Sequence, residues 1–111
     1  MENSIGPIFD IQEQIAAVTG YKNSALSKVN NHIVRLSVMT EPFYWHYHPN
    51  SDETFLVIEG VLCIELKNEV IKLKPGQLFT VPANVHHCTR PEGSRSVNLT
   101  FELETMETVK L

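Results

Sequence analysis

The sequence predicts an all-β protein, an antiparallel sandwich or barrel preceded by one short helix. Three observations predict it. From residue 24 onward, short apolar and β-branched runs recur at regular spacing between turn-forming residues. The last run alternates cleanly, with Val97, Leu99, Phe101 and Leu103 on one face and Ser96, Asn98, Thr100 and Glu102 on the other. Helical periodicity is found ahead of these runs, over residues 8–18.

In that helix Ile8, Ile11, Ile15 and Val18 share one apolar face. Asp10 with Glu13 reads as a capping box, and Gly20 as a stop. Its expected role is packing. Strands follow over 24–29 and 32–39, flanking Asn30-Asn31, a pair that tolerates the positive φ of a tight hairpin turn. Further strands are expected at 43–48, 53–58, 61–66, 69–73, 77–81, 85–89 and 95–103. Their separators are turn residues: Glu59-Gly60, Lys67-Asn68, Lys74-Pro75-Gly76, Pro82-Ala83-Asn84 and Pro91-Glu92-Gly93-Ser94.

The 111 residues suit one domain over 1–111, with residues 1–22 as an N-terminal helical extension. Net charge is −4, and the nine Lys and Arg are scattered. No basic stripe is available to neutralise phosphates, which argues against nucleic acid as a partner. No apolar run reaches the roughly twenty residues of a membrane span. The start, Met1-Glu2-Asn3-Ser4, lacks the features of a secretion signal, so a cytoplasmic location is expected. Cys63 and Cys88 then read as free thiols, buried as small apolar residues.

The chemistry concentrates in His46-Tyr47-His48-Pro49-Asn50-Ser51-Asp52-Glu53. On a strand, His46 and His48 point the same way, with Cα atoms roughly 6.5–7 Å apart. The turn formers between His48 and Glu53 would return Glu53 beside them on the next strand. A second histidine pair, His86-His87, lies downstream. A His-x-His pair alone is also what an ordinary surface strand carries. Three imidazoles and a carboxylate together suit a divalent transition metal. Strand alternation puts Tyr44 on the face of His46 and His48, where it could donate to a bound substrate, and puts Phe43, Trp45 and Tyr47 on the other. Three rings facing outward need a cover, either the helix or a partner subunit, and a homodimer is expected. Arg35 would favour a carboxylate or phosphate if it faced the pocket, and would otherwise face solvent. Asn98 and Glu102 share that ambiguity. There is no Ser-His-Asp order, reactive cysteine pair or Gly-rich phosphate loop, so the site works through a metal or does little chemistry.

These residues resemble the cupin superfamily. Its first motif, G-x5-H-x-H-x3,4-E-x6-G, is met by His46, His48, Glu53 and Gly60, with Thr40 in the leading glycine position. Its second, G-x5-P-x-G-x2-H-x3-N, is met by Gly76, Pro82 and His87, with Asn84 for the second glycine and Pro91 for the final asparagine. The resemblance spans residues 40–91. It implies a double-stranded β-helix, or jelly-roll, barrel. It implies His46, His48, Glu53 and His87 as ligands of one divalent ion (zinc, nickel, iron or manganese), and sends His86 to the opposite face as a surface or interface residue. Small cupins of this kind are often described as like mannose-6-phosphate isomerase. Their relatives imply isomerase- or dioxygenase-type chemistry on a sugar, sugar acid or diketone, or else metal-assisted binding of a small ligand without turnover.

Overall fold

The alternation of the last long strand sets the architecture. In a computed structural model of the protein, which describes residues 5–111, the elements in order are α1 (Ile11–Ile15), β1 (Lys22–Val29), β2 (His32–Met39), β3 (His46–Tyr47), β4 (Glu53–Glu59), β5 (Leu62–Glu65), β6 (Val70–Leu73), β7 (Leu78–Val81), β8 (Cys88–Pro91), β9 (Ser96–Leu103) and β10 (Val109–Lys110). β9 lies at the centre of a five-stranded sheet of order β1-β2-β9-β4-β7. A three-stranded sheet, β6-β5-β8, and a two-stranded one, β10-β3, complete a jelly roll in which every pairing is antiparallel.

The two larger sheets enclose one core. Met39, Phe55, Val57 and Val81 of the five-stranded sheet meet Leu62, Ile64 and Leu73 of the three-stranded one. A second core lies on the outer face of the five-stranded sheet, where Leu36, Val38 and Val97 are fully buried beneath Ile15 of α1. Burying each such side chain contributes about 1.5–3 kcal/mol. The apolar face of β9 therefore points outward, and its polar face points in: Ser96, Asn98, Thr100 and Glu102 are all buried. The interior of this fold is partly polar, which is the first sign of a built site.

Four expectations need correction. The helix is one short turn rather than residues 8–18. Asp10 caps it by accepting from the Glu13 amide at 3.2 Å, but Ile8 is 96% exposed and takes no part in the apolar face. The strand over 43–48 shrinks to His46–Tyr47. Pro42 has no amide hydrogen to offer, and the Phe43 amide donates to the Thr89 carbonyl. Strand alternation therefore does not govern Phe43 to Trp45. Phe43 packs against the main core, Tyr44 and Trp45 stay exposed, and α1 covers a different face altogether. The strand over 85–89 starts three residues later, because the Pro82–Asn84 turn, with Asn84 at φ 69°, runs on into Val85. Finally, β10 was not expected at all. Among the described residues no helix is long and apolar enough to cross a membrane.

The glycines of the two motifs both adopt positive φ, +75° at Gly60 and +85° at Gly76. They differ in surroundings. A Cβ on Gly60 would lie 2.4 Å from the Arg95 carbonyl oxygen, whereas one on Gly76 meets nothing within 4 Å. Gly76→Ala should cost about 1–2 kcal/mol from backbone conformation alone, and Gly60→Ala roughly 2–4 kcal/mol because the clash with main chain is added. Urea unfolding of both variants checks this; equal losses would contradict it.

Candidate metal centre

Each ligand side chain is set by a different piece of backbone. β3 carries His46, and the loop after it carries His48. The isolated bridge between residues 46 and 87, with two N–H···O bonds of 2.9 Å, brings His87 alongside. Glu53 opens β4. The intervening loop is pinned just ahead of Glu53: the Leu103 amide donates to Ser51 Oγ at 3.0 Å, and the Ala83 amide donates to Asp52 Oδ1 at 2.8 Å. All four side chains are buried, His87 completely, and their ligand atoms lie within 4.8 Å of one another. The three imidazoles and the carboxylate expected to converge do converge.

Hydrogen bonding then selects the tautomers. His46 Nδ1 lies 2.6 Å from the Tyr44 carbonyl, His48 Nδ1 3.0 Å from the Glu107 carbonyl, and His87 Nδ1 2.8 Å from the Val85 carbonyl. A carbonyl can only accept, so each Nδ1 must carry the hydrogen. In the neutral ring, Nε2 is left as a lone pair. The Nε2 atoms of His48 and His87 are buried and have no hydrogen-bond partner among the described residues. His48 Nε2 lies 3.2 Å and His87 Nε2 3.8 Å from Glu53 Oε1. Acceptor facing acceptor in a dry interior is stable only with a positive charge between them, either a proton or a metal ion. Metal bonds of about 2.0–2.2 Å place neighbouring donors roughly 3–3.5 Å apart, so the donor set fits a metal.

The electrostatics agree. Burial lowers the His46 pKa to about 4, with the neighbouring His87 and His48 adding repulsion, so this ring stays a neutral donor. Burial also opposes charge on His48, but the Glu53 carboxylate outweighs it and raises the pKa. Burial likewise disfavours the Glu53 carboxylate, and contact with His48 and His87 more than compensates, keeping it ionised. Glu102 behaves oppositely. Burial, reinforced by the negative charge of Glu53, raises its pKa to about 7, although Thr100 Oγ1 donates to it at 2.8 Å.

His46, His48 and Glu53 look into a cavity of about 340 Å³, with His87 behind them. Glu102, Thr100 and Arg35 form its polar wall, and Phe43 and Phe55 lie on its apolar side. Arg35 and Glu102, which the sequence left ambiguous, thus face inward. Tyr44 does not: its side chain is 62% exposed and lies outside the cavity, and its contribution is the backbone carbonyl that orients His46. Phe43 takes the place expected for it because the chain there is not a strand. His86 points outward, as alternation predicts, and stacks on Tyr47 with ring centroids 4.8 Å apart. Cys63 and Cys88 are buried free thiols, and burial with the nearby Glu65 carboxylate raises Cys88 to about 11.

Sequence reasoning missed the C-terminal segment. β10 pairs with β3, aligning Lys110 with His46. Asn50 clamps residues 105–107 by donating to the Thr105 carbonyl at 3.0 Å and accepting from the Glu107 amide at 2.8 Å. Glu107 and the Thr108 hydroxyl, 3.2 Å from His48 Nδ1, then orient that ring. The signal available in sequence was slight: Thr108-Val109 is a short β-favouring pair with no flanking pattern.

The sequence profile described as "Cupin domain" matches residues 33–101. The chain is 39% identical over 110 residues to the uncharacterized protein YdbB of Bacillus subtilis (strain 168), a match covering 98% of this chain and 91% of that one. It is 33% identical over 61 residues to the polyketide synthase CurC of Streptomyces cyaneus, covering 55% of this chain and 40% of that protein. A cupin-2 domain containing protein from Shewanella frigidimarina has a similar structure, with a TM-score of 0.81 at 21% identity, over 87% of this chain and 95% of that one.

Two changes probe the centre. His48→Ala should sharply lower the metal retained after purification, and deletion of residues 105–111 should weaken metal affinity roughly 10–100-fold by freeing the His48 ring. Elemental analysis and metal titration report both. Stoichiometric metal in His48→Ala, or unaltered affinity in the truncated chain, would count against the geometry described.

Proposed function

The chain belongs to the cupin domain family, and from that premise we propose that it is a metal-dependent enzyme acting on a small polar organic molecule. One observation carries the reading. Three imidazoles held as Nε2 donors converge with Glu53 below a cavity whose wall also carries a carboxyl group, Glu102. A positioned proton-transfer group beside a metal site favours turnover over simple binding.

A zinc, nickel, iron or manganese ion held there would polarise a carbonyl or enolate oxygen or orient a chelating substrate. The protein's own residues would do the rest. His87, fully buried, closes the back of the site, so substrate enters from the side of His46, His48 and Glu53. Phe43 and Phe55 exclude water along one side. Glu102, steadied by Thr100, takes or delivers a proton at its carboxyl oxygen. The reaction is of isomerase or dioxygenase type, on a sugar, sugar acid or diketone. The partial likeness to CurC, named a polyketide synthase, supports the diketone end of that range, since polyketide chains carry carbonyl groups in series.

The test is elemental analysis of protein purified without added metal, paired with a turnover screen of sugar acids and diketones. Turnover should vanish on chelation, and Glu102→Gln should lower kcat by about 10²–10⁴ while metal content is kept. Full metal loading with no turnover across the screen would leave a ligand-binding protein instead. We also propose a homodimer, which the exposed Tyr44 and Trp45 support. Sedimentation at micromolar concentration should then show twice the 12.6 kDa chain mass, and a lone 12.6 kDa species would reject it.

A further inference from the structure

The chain has three arginines, and two of them are spoken for. Arg90 pairs with Glu65 at 3.0 Å, and Arg95 grips Glu59 at 2.7 and 3.1 Å. Arg35 is different. It is half-buried, it lines the cavity, and among the described residues it has no hydrogen bond or ion pair. No carboxylate in the sheet forms a hydrogen bond or ion pair with it among the described residues, although Glu102 is close enough to feel its charge. Ile33, not Arg35, is aligned with Glu102, which makes Glu102 a diagonal neighbour at roughly 7–8 Å between Cα atoms. Glu104 is engaged by Lys28. A half-buried guanidinium that feels Glu102 but makes no hydrogen bond or ion pair keeps its donors open to the cavity, and the geometry of its fork matches a carboxylate.

We propose that Arg35 anchors a carboxylate, so that the molecule handled here is a small organic acid held by Arg35 at one end while another of its oxygens faces the His46, His48, Glu53 and His87 cluster. The inference rests on the metal-site reading above and narrows its substrate class. Sheet register sets the scale. Arg35 is aligned with Thr100 on β9, and Thr100 with Phe55 on β4, two residues from Glu53. Two strand spacings and a two-residue step put the Cα atoms of Arg35 and Glu53 roughly 12 Å apart. The arginine's long side chain and an acid of roughly three to five carbons fill that span together. The cavity of about 340 Å³ has room for such an acid. A phosphate monoester fits less well. It would concentrate both negative charges on one group beside Glu102 and Glu104, where among the described residues one arginine and no lysine line the cavity, whereas a dicarboxylate places its second charge at the far end, toward the metal cluster.

The probes are malonate and succinate, their neutral diamides, and inorganic phosphate, titrated by calorimetry into the full chain loaded with zinc. Expected are binding of at least one dicarboxylate, at least tenfold weaker binding in Arg35→Gln, a smaller loss in Arg35→Lys, and no comparable binding of the diamides. Melting curves and metal content of both variants should match the parent. Undiminished dicarboxylate affinity in a folded, metal-loaded Arg35→Gln protein would overturn the proposal, as would equal binding of the diamides or tighter binding of phosphate. Should the parent bind no zinc, the metal reading fails by itself. The same titration on metal-free protein still decides about Arg35, which stands if succinate binding depends on it and falls if it does not.

Discussion

Everything at the centre of this protein depends on three hydrogen bonds in which an imidazole Nδ1–H is given to a backbone carbonyl. They hold the rings of His46, His48 and His87 in one tautomer and one orientation. A neutral histidine offers a single lone pair, and tying down the opposite nitrogen decides where that lone pair points. The donors are side chains, but the acceptors are main chain, at Tyr44, Glu107 and Val85. The site is therefore built by backbone segments that are not regular strand, namely the stretch before β3, the segment before β10 and the turn before β8.

That arrangement requires an interior in which polar groups are tolerable, and the five-stranded sheet supplies it by turning its apolar faces both ways. Met39, Phe55 and Val57 point inward with Glu53, while Leu36, Val38 and Val97 point outward under α1. A protein of this size has limited surface with which to build a core. Covering the outer face with one turn of helix lets part of the inner face be given to Glu102, Thr100, Asn98 and Arg35. Burial makes those groups strongly interacting, because little water is present to screen them. It is also why Glu53 and Glu102, in one interior, differ in pKa direction: the first is in contact with imidazoles, and the second faces the first.

The C-terminal residues show how a short segment can matter to a site it does not ligate. Residues 105–111 contribute no candidate ligand. Yet they orient His48, pair with β3, and carry Lys110 over the Tyr44 ring at 4.5 Å. Their contacts are with residues near 45–50, some sixty positions earlier in the chain. Nothing local in Thr105 to Leu111 encodes that pairing.

Much of the fold and the donor set was nevertheless readable from the chain alone. The strand runs, the Asn30-Asn31 hairpin, the Pro82-Ala83-Asn84 turn and the quartet His46, His48, Glu53 and His87 are local facts, written in spacing, turn chemistry and side-chain identity. What only the tertiary structure decided was orientation. Alternation in β9 reveals two faces but not which one is inside, because both a packed core and a covered outer surface reward the same apolar residues. It also misplaces Tyr44, since strand geometry fails where Pro42 breaks the ladder and Phe43 finds the core. The inward turn of Arg35 and Glu102, and the tautomers of the histidines, depend on carbonyls and neighbours brought close by folding, and distance in space is the one quantity that a linear sequence does not carry.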